Sequence, residues 1–232
     1  MDMDVVWSQE PPRQPEPLTR ARIVTAAAAL ADEEVTGEIT MRTLASRLGV
    51  RSPMSLYRYV GSKDGLADLM ADHVYGQFAV TRGEGWQPAL HSLGMSGWTA
   101  VRRHPWFARL AFSRPPLGPN ALALYEAALV ELDPLNLPAS TRMGFVSTVM
   151  GHVLGSGLTL LEEHTMRVRA GITSDQDMAD AAKPYLARIA ESGRYPHFSR
   201  WAADPDRLHQ PPQDFETILG WLLSGLATMT PA

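Results

Sequence analysis

Apolar side chains recur every three or four residues along most of the chain, the spacing that lines up one face of an α-helix. Ile23, Ala27, Leu30 and Ala31 mark such a face between a capping Thr19 and Glu33. Met41, Leu44, Ala45 and Leu48 mark the next one. Thr40 opens it, with a hydroxyl suited to an N-cap. Gly49 closes it, where the backbone must turn left-handed just past a helix. Ser52 and Pro53 restart the chain as cap and first residue of a short helix over about 53–60. Ser62 caps a fourth helix over about 63–78, with Asp64 in its first turn and Leu66, Leu69, Met70 and Val74 facing inward. Thr81 to Gly85 then holds two glycines and no apolar side chain, and reads as a boundary. Beyond it lie helical-length segments at about 86–103, 105–113, 119–132, 139–168, 176–192, 196–203 and 213–229. Pro105, Pro115, Pro116, Pro134, Pro138, Pro196, Pro211 and Pro212 separate them. No run alternates as a strand does. The pattern predicts an all-α protein: an N-terminal arm over 1–17, a small helical unit over 18–80, and a larger helical body over 86–232.

Charge changes this picture in one place. The chain of 232 residues is net −4, yet the stretch from Thr40 to Lys63 carries Arg42, Arg47, Arg51, Arg58 and Lys63 and no acid. A helix, a glycine turn and a short second helix rich in Ser55, Tyr57, Arg58 and Tyr59 form the layout of a DNA-binding helix-turn-helix. A single helix fits the major groove, where each base pair shows its own donors, acceptors and methyl groups. Flanking cations hold phosphates and fix the register. The competing reading is a solvated helix pair with ordinary surface arginines. Arg20 and Arg22 sit in the first turn of the first helix, where the dipole disfavours cations, so a nearby phosphate would suit them.

The blocks Thr40-Met41-Arg42, Leu44-Ala45, Leu48-Gly49-Val50, Leu56-Tyr57-Arg58-Tyr59-Val60 and Lys63-Asp64 with Leu66 stand in one order. Together with residues 18–34 and 55–74 they resemble, over roughly residues 18–76, the DNA-binding domain of the tetracycline-repressor (TetR) family of bacterial transcription regulators. Between Gly49 and Leu56 the chain reads VRSPMS, one residue longer than the usual family turn. The resemblance implies an N-terminal helix-turn-helix, a helical ligand-binding and dimerising body, and a fourth helix linking them. It implies DNA contacts at Thr40, Arg42, Ser52, Met54, Ser55, Tyr57, Arg58, Tyr59 and Lys63. The implied function is a repressor released from an inverted-repeat operator by a small apolar molecule. A regulator without such a ligand and an all-helical enzyme are the alternatives.

The body offers two candidate partner helices. One bears the stripe Phe215, Leu219, Leu222 and Leu226, with Ile218, Leu223 and Met229 beside it. The other runs from Met143 to Leu161 without a charge, with small residues at Gly151, Gly155 and Gly157. That run approaches a membrane span, but Ser147, Thr148, His152, Ser156 and Thr159 argue for close helix packing instead. By the resemblance, Met143, Gly151, Gly155, Phe215, Leu219, Leu222 and Leu226 belong to a homodimer interface. Trp98, Trp106, Phe107, Phe112, Tyr125, Met150, His152, Tyr185, Phe198 and Trp201 are candidates to line an effector pocket, an apolar cavity with a few polar anchors. Plain core packing is the competing reading for each. Arg102, Arg103 and His104 before Pro105 read as a solvated helix end.

Enzyme chemistry finds little support. Gly155-Ser156-Gly157 lacks the spacing of a nucleophile elbow. Glu162-Glu163-His164 does not space its acids for a helix-borne di-iron site. His152, His164, His197 and His209 have no metal-ligand spacing. No glycine-rich phosphate loop is present, and no cofactor or metal is expected. There is no cysteine, which suits a cytoplasmic protein and removes disulfide and thiol chemistry. Residues 1–17 are proline-rich, with four acids against Arg13, and lack the basic start and apolar run of a signal peptide.

Overall fold

In the computed structural model, residues 17–33, 39–204 and 214–230 are described, and every regular element among them is helical. The first four helices are α1 (Arg20–Glu33), α2 (Met41–Arg47), α3 (Met54–Val60) and α4 (Lys63–Tyr75). Then come α5 (Trp86–Arg103), α6 (Trp106–Ser113), α7 (Pro119–Leu132), α8 (Ala139–Ala170), α9 (Asp175–Glu191), α10 (Pro196–Ala202) and α11 (Phe215–Ala227), with a 3₁₀ turn at Asp133–Leu135. The all-α expectation holds. The arm expected over residues 1–17 lies outside the described residues, Pro17 excepted, as do Pro211 and Pro212.

Local chemistry sets most boundaries. Thr40 and Thr43 form a capping box at α2, each side chain accepting the other's backbone amide. The Ser62 hydroxyl accepts the Gly65 amide at 2.9 Å to open α4. Gly49 takes a φ of 68°, as expected past α2. Two expectations need correction. Ser52 does not cap α3 through its side chain: the N-cap is Pro53, with no side-chain bond to the helix amides. The local hydroxyl bond runs the other way, from Ser55 to the Ser52 carbonyl at 2.6 Å. The fourth helix stops at Tyr75, with Gly76 as its C-cap, so Phe78 reaches the core from outside the helix.

One core runs through the whole molecule, from Ile23 of α1 to Leu223 of α11. α1 lies on α2, α3 and α4, and α4 lies on α6 and α7. α8 is the spine of the body, packed against α5, α6, α7 and α11. Its length and composition would let it cross a membrane, but Phe145, Val149, Val153 and Leu161 are buried inside the protein. α5 approaches α8 and α11 closely at its glycines. A Cβ on Gly97 would stand 2.7 Å from Phe78, and one on Gly94 2.6 Å from Leu219. α9 and α10 pack on each other and bury no residue fully.

The linker from α6 to α7 presses on α4 at Gly118, where a Cβ would meet the Asp72 carboxylate at 2.2 Å. Overpacking of this kind costs about 1–3 kcal/mol. Gly118→Ala is therefore expected to lower the melting temperature by several degrees, as read by circular dichroism.

Candidate DNA-binding site and its link to the body

The short helix α3 divides cleanly into two sides. Leu56 and Val60, one turn apart, are buried. Met54 and Arg58, also one turn apart and on the opposite face, are exposed, Met54 to 69 %. Ser55, Tyr57 and Tyr59 are half-buried between them. Arg42, Arg51, Arg58 and Lys63 are exposed, and none has a salt-bridge partner among the described residues. Arg47 is different: it pairs with Glu33, which holds the Glu33 carboxyl below the ordinary carboxylate range. Unpaired cations therefore stand on α2, in the turn, on α3 and at the start of α4, with an exposed methionine on α3.

Two expected phosphate ligands are already engaged. The Thr40 hydroxyl and amide both serve the capping box with Thr43. The Arg20 Nε donates to the Tyr59 carbonyl at 2.9 Å. That bond places a cation at the C-terminal end of α3, where the helix dipole favours it, and ties α1 to α3.

The link to the body is a stripe of acids on α4. Asp64, Asp68 and Asp72 are spaced four residues apart, so they share one side of the helix. All three are held by the segment after α6. Arg114 pairs with Asp64 at 2.8 Å and with Asp68 at 2.7 Å. Asp72 accepts the Asn120 and Ala121 amides at 3.0 Å each, in the first turn of α7. A carboxylate there complements the positive end of that helix. Behind this clamp is a cleft of about 500 Å³ lined by Leu69, Tyr75, Ala111, Pro116 and Leu117, with Asp68, Asp72 and Arg114 at its polar side. The Arg114 Nε is buried and has no hydrogen-bond partner among the described residues. The i, i+4, i+8 spacing of these acids is visible in the sequence, but not the loop that meets them.

A second link joins α1 to the body. The buried His104 lies against Asp32 and Gln77, and Trp106 donates to the same carboxylate. Arg102 and Arg103 are exposed, as expected of a solvated helix end, but His104 is not: it is only 4 % exposed. Close by, His73 is pushed below its ordinary value of 6.5, first by burial and then by the neighbouring His104 and Arg103. The unfolded chain takes up that proton near 6.5 and the folded chain only at lower pH. Stability is thus expected to fall as the pH drops below 6.5, and His73→Gln is expected to flatten that fall in urea titrations above and below this value.

The proposed pocket residues do not converge on one cavity. Trp98, Phe215 and His152 form a three-ring stack, at 4.7 Å and 4.3 Å between centroids. Phe107 is fully buried against Tyr75 and Phe78, and Met150 is core. Tyr125 is half-buried on α7, and Trp106 is committed to Asp32. Phe112, Tyr185, Phe198 and Trp201 are exposed on α6, α9 and α10. Aromatic residues serve core and cavity alike, so their type alone did not separate the two.

The expected partner face also changes. Phe215 and Leu219 are buried inside their own chain, so they are core rather than interface. Leu222 and Leu226 are half-buried. Met143, Gly151 and Gly155 do lie on the outward side of α8. A Cβ added at Gly144, Gly151, Gly155, Gly220 or Gly225 would meet nothing within 4 Å. With the 58 %-exposed Trp221, they leave open positions on the outward sides of α8 and α11. Sequence reasoning passed over Trp221.

This layout has known counterparts. The model of the tetracyclin repressor-like C-terminal domain matches residues 81–230. The HTH-type transcriptional repressor DrrR1 of Streptomyces coeruleorubidus is 34 % identical over 208 residues, covering 87 % of this chain and 76 % of that protein. The chain belongs to the TetR family. An HTH-type transcriptional regulator of Saccharopolyspora erythraea is also 34 % identical, over 60 % of this TetR-family chain and 59 % of its own length. Among solved structures, ActR of Streptomyces coelicolor superposes with a TM-score of 0.73 at 26 % identity, covering 93 % of this chain and 100 % of ActR in its complex with (S)-DNPA. ActR has also been solved with actinorhodin. This TetR-family protein is a DNA-binding transcriptional regulator, with an N-terminal helix-turn-helix and a larger helical domain.

Proposed function

We propose that the protein acts in the cytoplasm as a homodimeric repressor. Residues 18–80 form its DNA-binding domain and residues 86–232 its effector and dimer domain. The outward side of α8 and α11 packs against its copy, bringing two α3 helices to successive major grooves of an inverted-repeat operator. Arg58, Lys63, Arg42 and Arg51 hold phosphates. Tyr57, Tyr59, Ser52 and Ser55 fix the register on the backbone. Met54, exposed on the outward side of α3, is suited to a thymine methyl. Thr40 acts mainly as the cap that orients α2. The observation that carries this reading is the set of unpaired cations around α3 on an otherwise acidic chain.

The effector enters the cleft behind the α4 clamp. Its walls fit an apolar molecule, and the partnerless Arg114 Nε fits an acceptor oxygen on that molecule. ActR, solved in complex with actinorhodin, supports a small-molecule effector. Occupation of the cleft shifts the loop, and Arg114, Asn120 and Ala121 pass the shift to Asp64, Asp68 and Asp72. The effector weakens operator binding only by its differential affinity for the two shapes, typically ~1–3 kcal/mol. The test is the gel mobility of DNA flanking its own gene, with a panel of small aromatic molecules. Retardation is expected, with release by one of them, and Arg114→Ala is expected to keep retardation while blunting release. An Arg114→Ala protein released at the wild-type concentration of that molecule would contradict the clamp.

A further inference from the structure

Three elements meet at one buried imidazole. His104 is the C-cap of α5, just before α6, and its side chain is 5 % exposed. Its Nδ1 lies 2.8 Å from Asp32 Oδ1, in the last turn of α1. The same oxygen accepts the Trp106 Nε1–H at 2.7 Å. On the other side, Nε2 is 3.0 Å from the Gln77 amide nitrogen, just beyond α4. A carboxylate only accepts, so in the neutral ring Nδ1 donates to Asp32 and Nε2 accepts from Gln77. The network is satisfied at every one of these atoms, in a region where an unpaired polar group would be costly.

Its position is what matters. α1 has 14 residues, so it is about 21 Å long at 1.5 Å per residue. Asp32 stands at its far end and Arg20, bonded to the Tyr59 carbonyl of α3, at its near end. α1 thus joins His104 at one end to the recognition helix at the other, with α4 packed along it.

We infer that His104 is a positioning residue for operator binding. It sets the angle at which α1 presents α3, and so the separation of the two recognition helices in the dimer. This rests on the dimeric reading above. A packing residue would affect stability alone, whereas a positioning residue affects which half-site spacing is preferred.

The experiment uses the full-length protein and the operator footprinted with wild type in the DNA flanking its own gene. Operators with one base pair inserted or removed between the half-sites are compared with the parent by fluorescence anisotropy. Five variants are measured: His104→Asn, His104→Gln, His104→Leu, Asp32→Asn and the His104→Leu/Asp32→Asn double variant. Asn keeps a donor near the place of Nδ1, and Gln keeps only a group near that of Nε2. His104→Asn is expected to keep the wild-type preference for the parent spacing. His104→Gln, His104→Leu and Asp32→Asn are expected to lose about tenfold of it, the scale of a hydrogen bond to a charged group. The His104→Leu/Asp32→Asn double variant is expected to be no worse than either single one. Should His104→Leu fail to fold, the Asn and Gln variants still decide. Equal spacing preference in those two, or in wild type and a folded His104→Leu, overturns the inference. Wild-type protein that binds no palindromic site at all refutes the dimeric reading instead.

Discussion

Gly151→Arg is expected to turn the protein into a folded monomer that no longer holds its operator. Gly151 is exposed in the middle of α8, and a side chain there meets nothing within its own chain. Arginine is also a better helix former than glycine. The protomer therefore has no reason to unfold. A partner packed against that side of α8 would meet a long charged side chain at each of two symmetric positions. Bivalent binding exceeds single-site binding by about 10²–10⁴-fold, and operator affinity is expected to fall by that order. Sedimentation velocity gives the mass, and circular dichroism confirms the helices. The contrast with Phe215→Arg or Leu219→Arg matters, because both positions are core and their variants are expected to unfold. A Gly151→Arg protein that sediments as a dimer and binds its operator would place the interface elsewhere.

The Arg58→Ala/Lys63→Ala variant is expected to lose salt dependence more than sequence preference. Both side chains are exposed and unpaired, so neither loss disturbs a bond within the fold. Each phosphate contact contributes about 0.9 to the slope of log affinity against log salt, so four contacts in a dimer contribute about 3.6. The slope is expected to flatten by that amount, with the ranking of operator variants unchanged. Arg47→Ala is the control. Arg47 is paired with Glu33, and its removal is expected to leave the slope nearly as it was. An unaltered slope in the double variant would mean that α3 does not face the phosphates.

Much of this was legible in the residues themselves. The helix-turn-helix was visible because three signals coincided: the apolar period of α2, the left-handed Gly49, and a run of cations on an acidic chain. Helix ends were legible wherever a cap is local, as at Thr40 and Ser62, whose partners lie three residues on. They were misread at Ser52, where an adjoining proline takes the cap position and the hydroxyl bond comes from Ser55 instead. The interface was half-legible. An apolar stripe shows that a helix buries a face, but not whether its own chain or a second copy covers it. Phe215 and Leu219 meet their own core, while Gly151 and Gly155 remain open. His104 and Arg114 were missed for a common reason. Each is bonded to residues 46 or more positions away, apart from Gln77 at 27, and no local pattern encodes such pairings.

The most direct measurement is a hydroxyl-radical footprint of the wild-type protein on the DNA flanking its own gene. Two protected patches are predicted on one face of the duplex, related by inverted sequence symmetry, their centres about one turn or a whole number of turns apart. A single patch, or two patches out of phase with the helical repeat, would contradict two α3 helices reading successive major grooves.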